Sequence, residues 1–257
     1  MGFRVFGRNR QFGIPLGLLS GGTYAQQLLY IDRANLVAGW DQSETSGTVA
    51  ADSSGNGLNA TYAASIALNA ATFPDGTPAP LFDATADVIT LPVAGLDAPF
   101  DPTVGTLLIW LKVRAASVWT DGVSRVAFEL GADASNRIYF NKPTNANRFD
   151  MFYVAGGTSK QVVQTSFSPT TWTCFAITWN KANDQVKMYS NGVQVSSTLT
   201  GLGVWSGALS SNFSAIGNFS SAGGANFWDG YSKYAKLWKS ELTAAQIAQT
   251  VPASFLV

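Results

Sequence analysis

The side chains that most often carry out chemistry are scarce in this sequence. It has no histidine, a single cysteine and only three glutamates in 257 residues. Without histidine there is no ordinary general base, no Ser–His or Cys–His nucleophile pair, and no member of the commonest class of zinc ligand. Cys174 lies in the alternating stretch 171–179 and reads as a packed strand residue; a lone cysteine forms no intramolecular disulfide. Glycoside hydrolysis needs two carboxylates about 5–9 Å apart across the scissile bond. Glu44, Glu129 and Glu241 are isolated from one another, and Asp83, Asp87, Asp97 and Asp101 stand in turn-rich stretches. No catalytic residue is assigned, and a non-enzymatic role is expected.

Binding chemistry is better supplied. Eight Trp and eight Tyr are available to stack on sugar faces. Trp119, Trp205 and Trp228 fall among Gly, Ser or Asp and are the candidates for display to a glycan, weighed against edge packing or a subunit interface. Trp40, Trp110, Trp172 and Trp179 sit in alternating strands and read as core. Sixteen Lys and Arg are matched by sixteen Asp and Glu, dispersed along the chain, which leaves no basic face for nucleic acid. Charged residues make up 12%, about half the usual share, so the surface must be built from Ser, Thr, Asn, Gln and Gly. Such a surface suits a protein held in an assembly. No apolar run reaches the ~18 residues of a membrane span.

The elements that must position these groups are mostly strands. Segments 88–91, 106–113, 125–130, 137–141 and 148–154 carry strand signals, and 106–113 is apolar enough for burial on both faces. Residues 180–184 turn one strand into 185–189, and Asn191-Gly192 supplies the positive φ of a tight hairpin. One helix is expected near the end: Thr243 as N-cap, Gln246 completing a capping box, Leu242 and Ile247 as a hydrophobic staple, and Pro252 as the stop. Nothing divides the chain after residue 33, so one domain over 34–257 is expected.

Two distant segments carry a family resemblance. The first runs from Leu36 to Trp40 through Asp41, Glu44, Ser46-Gly47-Thr48 and Asp52-Ser53-Ser54-Gly55-Asn56-Gly57. The second is Trp228-Asp229-Gly230, Tyr234 to Trp238, then Leu242 to Ile247. With the 172–179 strand and the Asn191-Gly192 hairpin, they resemble laminin-G-like domains of the concanavalin A-like jelly-roll class. The resemblance implies an all-β antiparallel sandwich closed by pairing of its first and last strands, ~190 residues apart. It also implies calcium in some members, near the loop that holds Asp52 and Asn56. Tyr231, Ser232 and Lys233 replace the acidic pair usual on the closing strand, and the loop has one carboxylate, so an Asx-turn is favoured over calcium.

Residues 1–33 show no sustained helical or strand period and no acidic residue before Asp32. Gly13, Pro15 and Gly17 interrupt the apolar run that a signal-peptide core would need, so this segment is expected to be a retained arm. Arg4, Phe6, Arg8, Arg10 and Phe12 are its expected anchoring residues. Resemblance to phage-encoded versions of the module, with the low charge and missing catalytic groups, points to a structural protein of a tailed-phage virion. It would be a capsid decoration or head fibre, or else a neck or tail component. Its expected partners are the major capsid protein or neck and tail subunits, within a homo-oligomer such as a trimer. The alternative is a carbohydrate-binding lectin that recognises a host surface glycan.

Overall fold

Alternating apolar and polar residues put one face of each strand against a core, and two sheets result. The computed structural model describes residues 22–218 and 226–256. One sheet holds β1 (Leu36–Trp40), β4 (Ala67–Thr72), β5 (Pro78–Asp83), β7 (Val104–Val113), β12 (Thr173–Asn180), β13 (Gln185–Ser190), β14 (Val193–Gln194) and β16 (Asp229–Trp238). Its order is β14-β13-β12-β7-β16-β5-β4, with β1 also paired to β16. The second sheet holds β2 (Val49–Ala50), β3 (Ala60–Tyr62), β6 (Ile89–Thr90), β8 (Arg125–Asp133), β9 (Asn136–Lys142), β10 (Arg148–Ala155), β11 (Thr158–Thr165) and β15 (Ser214–Ile216). Its order is β11-β10-β9-β8-β15-β6-β3-β2.

The expected closure is present. β1 pairs antiparallel with β16, Leu36 opposite Trp238 and Gly39 opposite Lys236. β7 shows why its sequence is almost continuously apolar. Leu107, Ile109 and Leu111 enter the core between the sheets, while Leu108 and Trp110 enter a second core on the opposite face. That second core is roofed by α1 (Tyr24–Tyr30) and α3 (Ala244–Gln249). A single turn, α2 (Val93–Leu96), inserts Leu96 into the inter-sheet core. The Asn191-Gly192 hairpin has φ of 49° and 80° at its two central residues. The α3 capping box between Thr243 and Gln246 forms as expected. No helix among the described residues is long and apolar enough to cross a membrane.

The segment before β1 holds a correction. Residues 24–30 form a helix where no period was expected, and Tyr24, Leu28 and Ile31 are buried in the second core. These positions follow i, i+4, i+7, and Thr23 with Gln26 forms a capping box of the kind read at Thr243. Residues 22–33 are thus built into the domain. The expected anchoring residues Arg4, Phe6, Arg8, Arg10 and Phe12 lie outside the described residues.

The closing strand carries two fully buried lysines. Lys233 Nζ donates to Pro78 O at 2.7 Å, to Gln42 O at 3.3 Å and to Ser43 Oγ. Burial brings its pKa down to about 8, against an ordinary value near 10.4. Between these values the unfolded chain binds more protons than the folded one, so stability rises with pH. Lys236 is shifted in the same direction by burial. Above about pH 10 the buried phenols of Tyr24 and Tyr234, raised chiefly by desolvation, act in the opposite sense. The urea midpoint is therefore expected to climb between about pH 8 and 9.5, and Lys233→Met should flatten much of that climb. A wild-type midpoint constant over this range would contradict the assignment.

Candidate functional site

The outer face of the second sheet gathers the strongest binding chemistry. Along β9 and β10, Ile138, Phe140, Met151 and Tyr153 point into the inter-sheet core. The alternate residues therefore share the opposite face. Register places Phe152 beside Tyr139, Asp150 beside Asn141, and Val154 beside Arg137. β8 adds Glu129 beside Tyr139, and β11 adds Gln161 beside Phe152.

These side chains form a layered group. The Tyr139 and Phe152 rings stack at 4.3 Å with 7° between their planes. The Arg137 guanidinium lies 4.6 Å from the Tyr139 centroid, and its Nη1 donates to Glu129 Oε1 at 3.1 Å. Arg148 grips Asp150 through Nε at 2.8 Å and Nη2 at 2.7 Å, and Gln161 Nε2 donates to Asp150 Oδ2 at 3.0 Å. The Asp150 hydrogen bond in turn raises the Arg148 pKa. Burial raises that of the Tyr139 phenol, which keeps it a neutral donor. Asn141 Oδ1 is buried without a hydrogen-bond partner, an acceptor that a ligand hydroxyl could satisfy. Half-buried aromatic rings beside fixed amides, guanidinium groups and carboxylates match the two faces of a sugar, apolar C–H and polar hydroxyl.

The sequence-derived candidates lie elsewhere. Trp119 and Trp228, expected on displayed loops, are buried at 3% and 1% exposure, so neither ring offers a face to a ligand. Trp119 sits in the 3₁₀ turn Ala116–Thr120 and Trp228 directly precedes β16, and both indoles enter the inter-sheet core. Trp119 Nε1 donates to Pro169 O at 2.8 Å and its ring meets Phe167 at 5.5 Å. Trp205 is half-buried against Phe100 and Tyr153. Trp40, Trp110, Trp172 and Trp179 are buried as expected. Tyr139 and Phe152 were missed, although a signal was present: in 148–154, Phe152 is an aromatic in the polar phase of an alternating strand.

Asp52 and Asn56 do not fit calcium. Asp52 Oδ1 accepts from the Gly39 and Ser54 N–H groups, each at 2.9 Å. Its Oδ2 accepts from Ser54 Oγ at 2.8 Å and Leu58 N at 3.0 Å. The carboxylate is thereby committed to an Asx-turn, and Asn56 turns its Nδ2 to the carbonyls of Leu36 and Val37. Among the described residues, no group of three or more Asp, Glu, Cys or His is placed to hold a metal.

Sheet order, strand pairing and sequence agree on a class. The chain belongs to the concanavalin A-like lectin/glucanases superfamily, whose laminin-G-type profile matches residues 83–248. Among solved structures it is similar to the botulinum neurotoxin serotype D binding domain, at TM-score 0.62 and 12% identity, covering 84% of this chain and 50% of that one. The chain thus spans about half the length of that domain. It is also similar to domain 4 of AbnA, an extracellular arabinanase of Geobacillus stearothermophilus, in complex with arabinotriose. There the TM-score is 0.57 and identity 18%, with 85% and 98% coverage. A third similar structure is Trypanosoma rangeli sialidase with sialic acid, at TM-score 0.61, 16% identity, and 84% and 32% coverage. No curated protein matches the chain in sequence.

Proposed function

We propose that this chain is a non-catalytic, lectin-like module that binds a glycan on the outer face of β8–β11. The carrying observation is the stacked Tyr139–Phe152 pair, bordered by Gln161, Asn141 and the Arg148–Asp150 clamp. Neighbours on the same fold captured with arabinotriose and sialic acid support a saccharide ligand. Both carboxylates of the face, Glu129 and Asp150, are engaged by guanidinium groups, which supports binding over catalysis. A glycan array should identify a ligand, and calorimetry with that ligand should show Phe152→Ala binding about tenfold more weakly with an unchanged melting temperature. An array without a hit, or equal affinity in the variant, would overturn this reading.

The setting we propose is a tailed-phage virion, with capsid, neck or tail subunits as partners and an oligomer, such as a trimer, adding avidity. The sparsely charged, polar composition supports it, as does the fixed seat of α1, which follows the Arg- and Gly-rich residues 1–21 in sequence. Because Tyr24 and Leu28 belong to the core, the deletion that tests an anchor must stop at residue 21. Removing residues 1–21 is expected to leave the melting temperature within about 2 °C and to abolish incorporation into particles. Normal incorporation of the truncated chain would refute the anchor.

A further inference from the structure

The β1–β16 pairing that closes the sandwich also builds an open cleft of about 460 Å³ at its end. Its walls include Arg33, Leu36, Ser54, Asn56, Pro99 and Lys239, and no carboxylate among the described residues lines it. Register explains why two cations meet there. Leu36 pairs with Trp238, and just beyond this last rung the Lys239 N–H donates to Asn35 O at 2.9 Å. Arg33 opens the short 3₁₀ turn Arg33–Asn35, held by Asp32 in a left-handed conformation at φ 44°. Asp32 accepts from Asn35 Nδ2 at 3.0 Å and from Ser240 Oγ, which ties the two strand ends together. The opposite wall is pinned to the same strand, since Asn56 Nδ2 donates to Leu36 O at 3.1 Å and to Val37 O at 2.9 Å.

Arg33 and Lys239 are exposed, and neither forms an ion pair among the described residues. The carboxylates nearest in sequence are held by other groups: Asp32 accepts from Asn35 and Ser240, and Glu241 pairs with Lys187 and accepts from Asn180. Two cations without an ion pair at a concave polar site raise the local affinity for an anion. The volume is that of a small-molecule site, well above what one inorganic ion fills. The loop at which the family resemblance implied a cation thus faces a cleft of the opposite preference.

We propose that this cleft binds an acidic saccharide, with Arg33 and Lys239 gripping its carboxylate or sulfate group. The site is separate from the outer face of β8–β11 and rests on its own charge and shape.

The test is a titration of the full chain, followed through the backbone amides of Gly55, Asn56 and Lys239. The probes are N-acetylneuraminic acid, a 6-sulfated N-acetylglucosamine, neutral N-acetylglucosamine and inorganic sulfate. At least one acidic sugar should give saturable shifts, bind more tightly than sulfate alone, and lose affinity between 50 and 300 mM salt. Arg33→Gln and Lys239→Gln should each weaken binding at least about tenfold, and the double variant should abolish it, with melting temperatures unchanged. Phe152→Ala should leave these shifts intact, which separates this site from the outer face. Equal binding of neutral sugar, sulfate as tight as either acidic sugar, no saturable shift, or full affinity in the double variant would each overturn the proposal.

Discussion

Tyr24→Ala is expected to lower the free energy of unfolding by about 3–5 kcal/mol, read as a fall in the urea midpoint at constant m-value. Tyr24 carries α1 into the aromatic centre of the second core. Its ring meets Tyr234 and Phe255 edge-on at 4.9 Å each and stacks on Phe73 at 6.0 Å. Its hydroxyl donates to Thr250 O at 2.5 Å and accepts from Trp110 Nε1 at 2.8 Å. Removing the side chain opens a cavity and strands the buried Trp110 N–H, two costs that add. Tyr24→Phe separates them: it keeps the rings and loses the hydroxyl, for a smaller loss of about 1–3 kcal/mol. A loss below about 1 kcal/mol in Tyr24→Ala would show that α1 is a detachable element. Residues 22–33 would then rejoin the leading arm, and the truncation at residue 21 would lose its meaning as a test.

Much of this architecture was legible because its signals are local or paired. The Asn191-Gly192 hairpin announces itself through the φ its turn requires, and α3 through its capping box. The both-faces burial of β7 follows from its unbroken apolar run. Closure by β1 and β16 was readable only through resemblance, because no residue in either strand specifies a partner so far along the chain. α1 was missed because seven residues among glycines give a weak period, and its stability comes from the cluster it caps. The site was harder still. Loop context suggested Trp119 and Trp228, but a Ser- and Gly-rich neighbourhood fits a tight turn that buries a ring as well as one that displays it. Phe152 becomes visible only when the phase of its strand is known, and the Arg33–Lys239 cleft only when the register of β1 against β16 is known.

Asp41→Ala is the second substitution expected to have a large effect, about 3–5 kcal/mol of stability, because it strands a charge inside the protein. Lys236 is fully buried, and its ammonium contacts Asp41 Oδ1 and Ser53 Oγ, the latter at 2.7 Å. Ser53 Oγ, also within 3.0 Å of Asp41 Oδ1 and 2.9 Å of Gly39 O, completes the cage. The lysine reaches this cage by crossing its register partner Gly39, where a Cβ would stand 2.7 Å from both Cδ and Nζ. A side chain at Gly39 would have to push the lysine out of this cage. Burial lowers the Lys236 pKa and Asp41 works against that shift, so the carboxylate is what keeps the ammonium tolerable in the strand. Lys236→Met alone removes the buried charge and leaves Asp41, already partly exposed, to water, so its cost should be smaller. The double variant should recover most of the loss seen in Asp41→Ala, giving a coupling energy of about 2 kcal/mol or more in the double-mutant cycle. Additive losses would show that Lys236 finds water or another partner when Asp41 is gone, and that the β1–β16 seam is held by its backbone ladder and apolar contacts alone.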